Sequence, residues 1–196
     1  MVDFAQTYLA LLLFELVGFK RTLPAGLGVK HLKTVLAESE SVEFKSSFEW
    51  NTRNGQISGH HRLACMKSVA GFLNGAGGTL YIGINDAGIP IGIEDELSQI
   101  NDENPKDIFE GKILEAIKNH LDPLPIGKVN IRFSIESGVL LCIIDVKYSP
   151  ETTYLISKDP SSGQVLEEIY VRFGARTLNL KGKDRDTFVI RRAQQN

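Results

Sequence analysis

The sequence predicts an α+β domain: a mixed β-sheet with helices packed mainly on one face, preceded by an N-terminal helical arm. Strand-like runs fall into two groups, near residues 42–93 and 128–173, with helical runs inserted between and after them rather than alternating one for one. That order lets helices gather on one side of the strands. A chain of 196 residues, 42% hydrophobic and 23% charged, buries one good core, and two full domains would be cramped.

The first element is VDFAQTYLALLLFELVGFK, with helical spacing from Phe4 to Phe19. It has no positive n-region and no small-residue cleavage site. Asp3, Gln6 and Glu15 interrupt a segment already shorter than the roughly 20 apolar residues of a membrane span, so no integral span is expected. A helix that packs on the domain or on a second copy is the preferred reading, with peripheral membrane contact as the alternative. RTLPAGLG, with Pro24, Gly26 and Gly28, reads as a linker, and VKHLKTVLAE as a short second helix. Residues 1–35 are therefore expected to form an arm and linker, and residues 36–196 the domain.

In SVEFKSSF the alternation has the period of a strand, with Val42 and Phe44 toward the core and Glu43 and Lys45 on the other face. Turn signals at Asn54-Gly55 and Ser58-Gly59 lead into HRLACMKSVAGFLNG, where Leu63, Met66, Val69, Ala70 and Leu73 recur at helical intervals. Gly75 is expected to cap that helix with a positive φ. GGTLYIGIND reads as a buried strand, AG as a tight turn and IPIGI as its hairpin partner, with Asp86 beside the turn. Asp107 to His120 forms an amphipathic helix stopped by DPLP. KVNIRFSIE, GVLLCIIDVKYS and EEIYVRFG follow as strands, and DRDTFVIRRA as a C-terminal helix.

The formal net charge of −2 gives no global attraction to nucleic acid, so such binding must rest on a local patch. Residues 169–196 hold seven bases (Arg172, Arg176, Lys181, Lys183, Arg185, Arg191, Arg192) against two acids, whereas residues 94–110 hold seven acids against one base, Lys106. In YVRFGART, Tyr170 and Arg172 share a strand face and Arg176 follows the Gly174 turn, a pattern suited to phosphate contact or to a half-exposed strand. Cys65 and Cys142 each sit in an apolar run, which suggests neither a disulfide framework nor a zinc site and fits a reducing cytoplasm.

Glu38, Glu40 and Glu43 cluster beside Lys45. Together with Asp86, if the fold joins them, they would offer the oxygen-rich site that holds Mg²⁺ or Mn²⁺; otherwise they are a solvated helix end. The glycines of NGAGG follow a helix and precede a strand, the reverse of the phosphate-binding order, and match neither common nucleotide motif. A helix cap with close backbone packing accounts for them better. His60-His61 lacks a third partner at ligand or relay spacing and reads as a surface loop, a general base being the alternative.

Taken together and in order, ESESVEFKSS, VAGFLNGAGGTLYIGINDAGIPIGI and IYVRFGARTLNL resemble the AlbA-type (AlbA_2) domain of the Schlafen family, over roughly residues 36–192. The resemblance implies a nucleic-acid-processing module of the bacterial, single-lobe kind. In vertebrate Schlafen proteins this domain type is an endoribonuclease on structured RNA such as tRNA, with two glutamates and an aspartate supporting a divalent metal. Carried over position by position, these fall on Glu38, Glu43 and Asp86, with Mn²⁺ or Mg²⁺ as the ion. Lys45 would stabilise charge on phosphate, and Arg172, Arg176, Lys181 and Lys183 would position the backbone. The vertebrate nuclease uses two such lobes, so a homodimer is expected here, through the N-terminal helix. The leading expectation is a metal-dependent nuclease, with RNA favoured over DNA. The alternatives are a non-catalytic DNA- or RNA-binding regulatory module, or a component of a toxin-antitoxin or phage-defence assembly.

Overall fold

A computed structural model describes residues 37–51 and 54–194. The helical arm and the dimer contact expected of it lie outside the described residues. The elements are β1 (Val42–Lys45), β2 (Trp50–Asn51), β3 (Gln56–Ile57), α1 (Gly59–Asn74), β4 (Gly78–Ile82), α2 (Glu94–Leu97), α3 (Pro105–His120), β5 (Leu121–Asp122), β6 (Val129–Glu136), β7 (Val139–Val146), β8 (Tyr154–Lys158), β9 (Val165–Phe173), β10 (Arg176–Leu180) and α4 (Gly182–Ala193).

The class is α+β, but the strands divide among two four-stranded sheets and a short antiparallel β2-β3 pair instead of forming one sheet. The first has the order β1-β4-β7-β6 and is mixed, β1 running parallel to β4 and the other pairs antiparallel. The second, β10-β9-β8-β5, is antiparallel throughout. After β7 the chain leaves the first sheet, where Ser149 N–H donates to Leu73 O at 2.9 Å, and β8 begins the second.

Helix α1 is the pivot between them. From Cys65 to Asn74 every residue except Lys67 is buried. Met66, Val69, Ala70, Phe72 and Leu73 share one core with Leu80, Ile82, Cys142 and Ile144 of the first sheet, with Leu155 and Tyr170 of the second, and with Phe109, Ile113 and Ile117 of α3. A helix apolar on most of its circumference belongs inside a protein, not on its surface.

The first sheet also carries a smaller cluster on its opposite face, made of Phe44, Ile84, Leu141 and Ile143. Val42 and Phe44 thus point into an apolar cluster as expected, but the Glu43 face of β1 is buried as well. Phe44 pairs in register with Tyr81 on the smaller cluster, whereas Glu43 pairs with Leu80 and so faces the main core and α1.

Two local expectations also change. Gly75 closes α1 with φ −99°, and the left-handed position is Gly77 at +86°. Gly78 is required for space: a Cβ there would lie 2.4 Å from the Phe72 ring and 2.7 Å from Ser41 O. The expected hairpin after β4 shrinks to one bridge, Ile84 with Pro90, because the Asn85 side chain takes the turn's Ala87 and Ile89 N–H groups at 3.0 Å each.

Candidate functional site

The acidic stretch is organised around an arginine from the other sheet. β1 is an edge strand, so its outward backbone groups need partners. The chain before it turns back, Ser39 N–H donating to Val42 O at 2.9 Å, and Glu38 Oε1 accepts from Phe44 N–H at 3.2 Å. Arg172 closes this turn from β9. Its Nη2 donates to Ser39 O and to Val42 O (3.2 Å), its Nε to Glu40 O (3.4 Å), and its Nη1 to Glu43 Oε2 (2.5 Å) and Thr177 Oγ1 (2.9 Å).

Arg172 is 3% exposed and its guanidinium lies 5.1 Å above the Phe72 ring centre. Glu43 is 8% exposed, and its second oxygen, Oε1, accepts from Lys45 Nζ. A buried carboxylate held by two cations has both oxygens engaged, and leaving it or the buried guanidinium unpaired would be costly. The expectation that Arg172 contacts phosphate is therefore corrected: its face of β9 is the inner one, and its donors are spent within the protein.

Glu38 is exposed and tied to the backbone of β1. Asp86 is exposed on the turn beyond the end of β4. Among the described residues, no group of three or more His, Cys, Asp or Glu side chains is placed to hold a metal ion. Glu38 and Glu43 are brought to the same strand, but both oxygens of Glu43 are engaged by cations. As arranged, the set does not fit Mn²⁺ or Mg²⁺, which need free carboxylate oxygens.

A second buried carboxylate pair lies next to this strand, and sequence reasoning missed it. Glu49, 4% exposed, accepts from Arg62 Nη2 and Lys112 Nζ at 2.6 Å each. Glu96, 6% exposed, accepts from the backbone N–H of Phe48 at 3.0 Å and of Glu49 at 2.7 Å. Burial pushes the Glu96 carboxyl above its ordinary value, opposed by those backbone donors. The only signal was Glu49 flanked by Phe48 and Trp50; Glu96 looked like one more member of an exposed acidic run.

His61 stands in the first turn of α1, its Nδ1 3.2 Å from both Ser47 Oγ and Trp50 O. It holds the β1–α1 connection instead of lying in a loop. Burial pushes the Cys65 thiol up to about 12, which leaves no thiolate for nucleophilic chemistry.

The C-terminal bases divide in two. Arg192 is buried, bonded to Asn74 Oδ1 (3.1 Å) and Ser149 O (2.5 Å), with its guanidinium over Tyr148 and Phe188. Arg176, Lys181 and Lys183 are exposed, and none of them joins the ion pairs found among the described residues.

A two-sheet α+β domain whose Glu-rich, Ala-Gly-Phe and Tyr-Val-Arg stretches converge on one arginine defines a recognisable class. The family model described as Schlafen, AlbA_2 matches residues 38–181, and the chain belongs to that family. This makes it a nucleic-acid-related domain. No curated protein matches the chain. Among solved structures, it is similar to the crystal structure of the DIP2311 protein from Corynebacterium diphtheriae, at 20% identity and a TM-score of 0.47. That likeness covers 78% of this chain and 29% of the other. No helix among the described residues is long and apolar enough to cross a membrane.

Proposed function

We propose that this domain binds nucleic acid through the surface carrying Arg176, Lys181 and Lys183, and that the Glu38–Glu43 stretch is chiefly the structural counter-charge of Arg172. The observation that carries the reading is the sorting of the basic cluster. Arg172 and Arg192 are consumed inside the fold, while Arg176, Lys181 and Lys183 remain exposed without carboxylate partners. Arg176 opens β10, Lys181 follows its end about 17 Å away at roughly 3.3 Å per residue, and Lys183 lies in the first turn of α4, so the three bases are spread from the hairpin tip to the start of α4 instead of along one strand face. The experiment is binding of labelled RNA and DNA across a salt series. Replacing each of the three by Gln is expected to lower the slope of log affinity against log salt by about 0.7 to 0.9. A slope unchanged in the triple variant would overturn the reading.

The second reading is the metal-dependent endoribonuclease implied by the resemblance, acting on structured RNA such as tRNA. It is favoured by Glu38 being bonded to the residue after Glu43, which gathers two of the three matched carboxylates. Against it stand the engagement of Glu43 by Arg172 and Lys45 and the separate turn that carries Asp86. Labelled tRNA incubated with Mn²⁺, Mg²⁺ or EDTA separates the two. Cleavage that needs metal and is lost in Asp86→Asn, an exposed change that leaves folding intact, would establish the nuclease; binding indifferent to EDTA without cleavage would leave the binding module.

A further inference from the structure

The tip of the β9–β10 hairpin carries an aromatic ring with no internal purpose. Phe173 is 75% exposed, the most open aromatic side chain among the described residues. In the antiparallel register it stands directly opposite Arg176, and the next pair on the same face is Val171 with Leu178, itself 41% exposed. The inner face of the same hairpin is fully used, by Tyr170 and Arg172 against α1 and by Thr177 and Asn179 through hydrogen bonds. Toward the tip the outer face is left to solvent, whereas Ile169, further along the same face, is fully buried.

The geometry points to this outer face as a stacking platform for an unpaired base of single-stranded nucleic acid, an inference that rests on the nucleic-acid reading above. A ring beside a guanidinium matches the two needs of such a ligand, a π-surface for the base and a cation for the adjoining phosphate. Charge complementarity favours this occupant over a second apolar protein surface. Of the acids on this side, Glu167 is about 20 Å from the tip along β9, and Asp184 on α4 lines a cavity beyond the tip together with Arg191 and Arg192. The face leads into this cavity of about 470 Å³ between the hairpin and α4, which is lined also by Val171, Leu180 and Phe188 and has Asp184 as its one acid. It begins two residues from Phe173, within reach of a neighbouring nucleotide.

Duplex nucleic acid keeps its bases stacked on each other and offers none to Phe173, so the platform selects single strands. The test is fluorescence anisotropy of the full chain with labelled oligo-dT, oligo-U and a fully paired duplex. Phe173→Ala is expected to weaken single-strand binding about 5- to 150-fold with the salt slope unchanged. Phe173→Trp is expected to restore binding, with its indole emission quenched by oligo-dT. If Phe173→Ala binds single strands as the parent does, while the Arg176, Lys181 and Lys183 variant does not, the platform is overturned and the nucleic-acid reading survives. If the unmodified chain binds none of the three probes, both fall. If Phe173→Ala converts a sedimenting dimer to a monomer with unchanged affinity for oligo-dT, the face belongs to a second copy and the proposal is overturned.

Discussion

Arg172 and Glu43, 129 positions apart in the chain, form a buried ion pair at 2.5 Å that ties the second sheet to the edge of the first. The stretches that carry the family likeness meet at this pair. Phe72 of α1 lies beneath the guanidinium, Thr177 of β10 accepts from it, and the carbonyls of Ser39, Glu40 and Val42 surround it. Three glutamates within six positions are thus explained in part without catalysis: the segment wraps a cation, and Glu43 supplies the balancing charge.

Arg172→Ala is expected to cost about 3–5 kcal/mol, because it strands Glu43 in the interior with only Lys45 as partner and empties the carbonyl cluster. Arg172→Lys recovers little of this, since an ammonium cannot spread five hydrogen bonds across two sheets. Urea denaturation measures it. A loss under about 1 kcal/mol, the worth of an exposed pair, would mean that the guanidinium is not buried in solution. The same cost warns that activity lost in Glu43→Ala is meaningful only when folding is measured beside it.

Asn74 is the second joint. Its Nδ2 donates to Thr153 O at 2.7 Å and Tyr170 O at 2.9 Å, while its Oδ1 accepts from Thr153 N–H and Arg192 Nη1. Asn74→Ala leaves several buried groups without partners, at about 1–3 kcal/mol for each that water does not reach. A total loss of about 3 kcal/mol is expected in denaturant titration, with Asn74→Asp also destabilised because a carboxylate cannot donate to the two carbonyls.

Gly78→Ala is expected to destabilise by about 1–3 kcal/mol through overpacking against Phe72 and Ser41 O. Gly111→Ala, where an added Cβ meets nothing within 4 Å on the mid-helix face of α3, is the contrasting control and is expected to stabilise slightly. Thermal unfolding of the two variants should move in opposite directions.

Much of this fold was legible because α1, α3, α4, β4, β6, β7 and β9 each carry a clean period or apolar run. β5 has two residues, β8 is short, and β10 hides in a stretch that reads as a phosphate-contacting loop, so the second sheet went unseen. Burial of the charged faces was hidden for a different reason. The sequence correctly pairs Tyr170 with Arg172, and Glu43 with Lys45, on common faces, but β9 carries apolar residues at both parities, and β1 belongs to a sheet that packs a hydrophobic cluster on each face. Which face is inner depends on a partner more than a hundred residues away. A charged residue pointing inward is invisible until that partner is known, which hides the inward Arg172 and with it the outward Phe173 of the opposite parity. The same limit applies to Asp86, whose sequence distance from Glu43 says nothing about whether the turn after β4 folds toward it.

Glu96 gives the domain a pH dependence of known sign. Its folded carboxyl titrates above the ordinary value because burial outweighs the donors of Glu49 and Phe48. A raised acid favours the folded state while it is protonated, so its contribution is fully present below the unfolded value near 4.5 and is lost as pH rises through the higher folded value. The comparison that isolates it is parent against Glu96→Gln, which does not titrate. Stability of the parent relative to the variant is expected to fall as pH rises above the unfolded value near 4.5 in urea titrations at fixed ionic strength. A difference that is flat or rises with pH would show that the backbone donors of Phe48 and Glu49, not desolvation, govern this carboxylate.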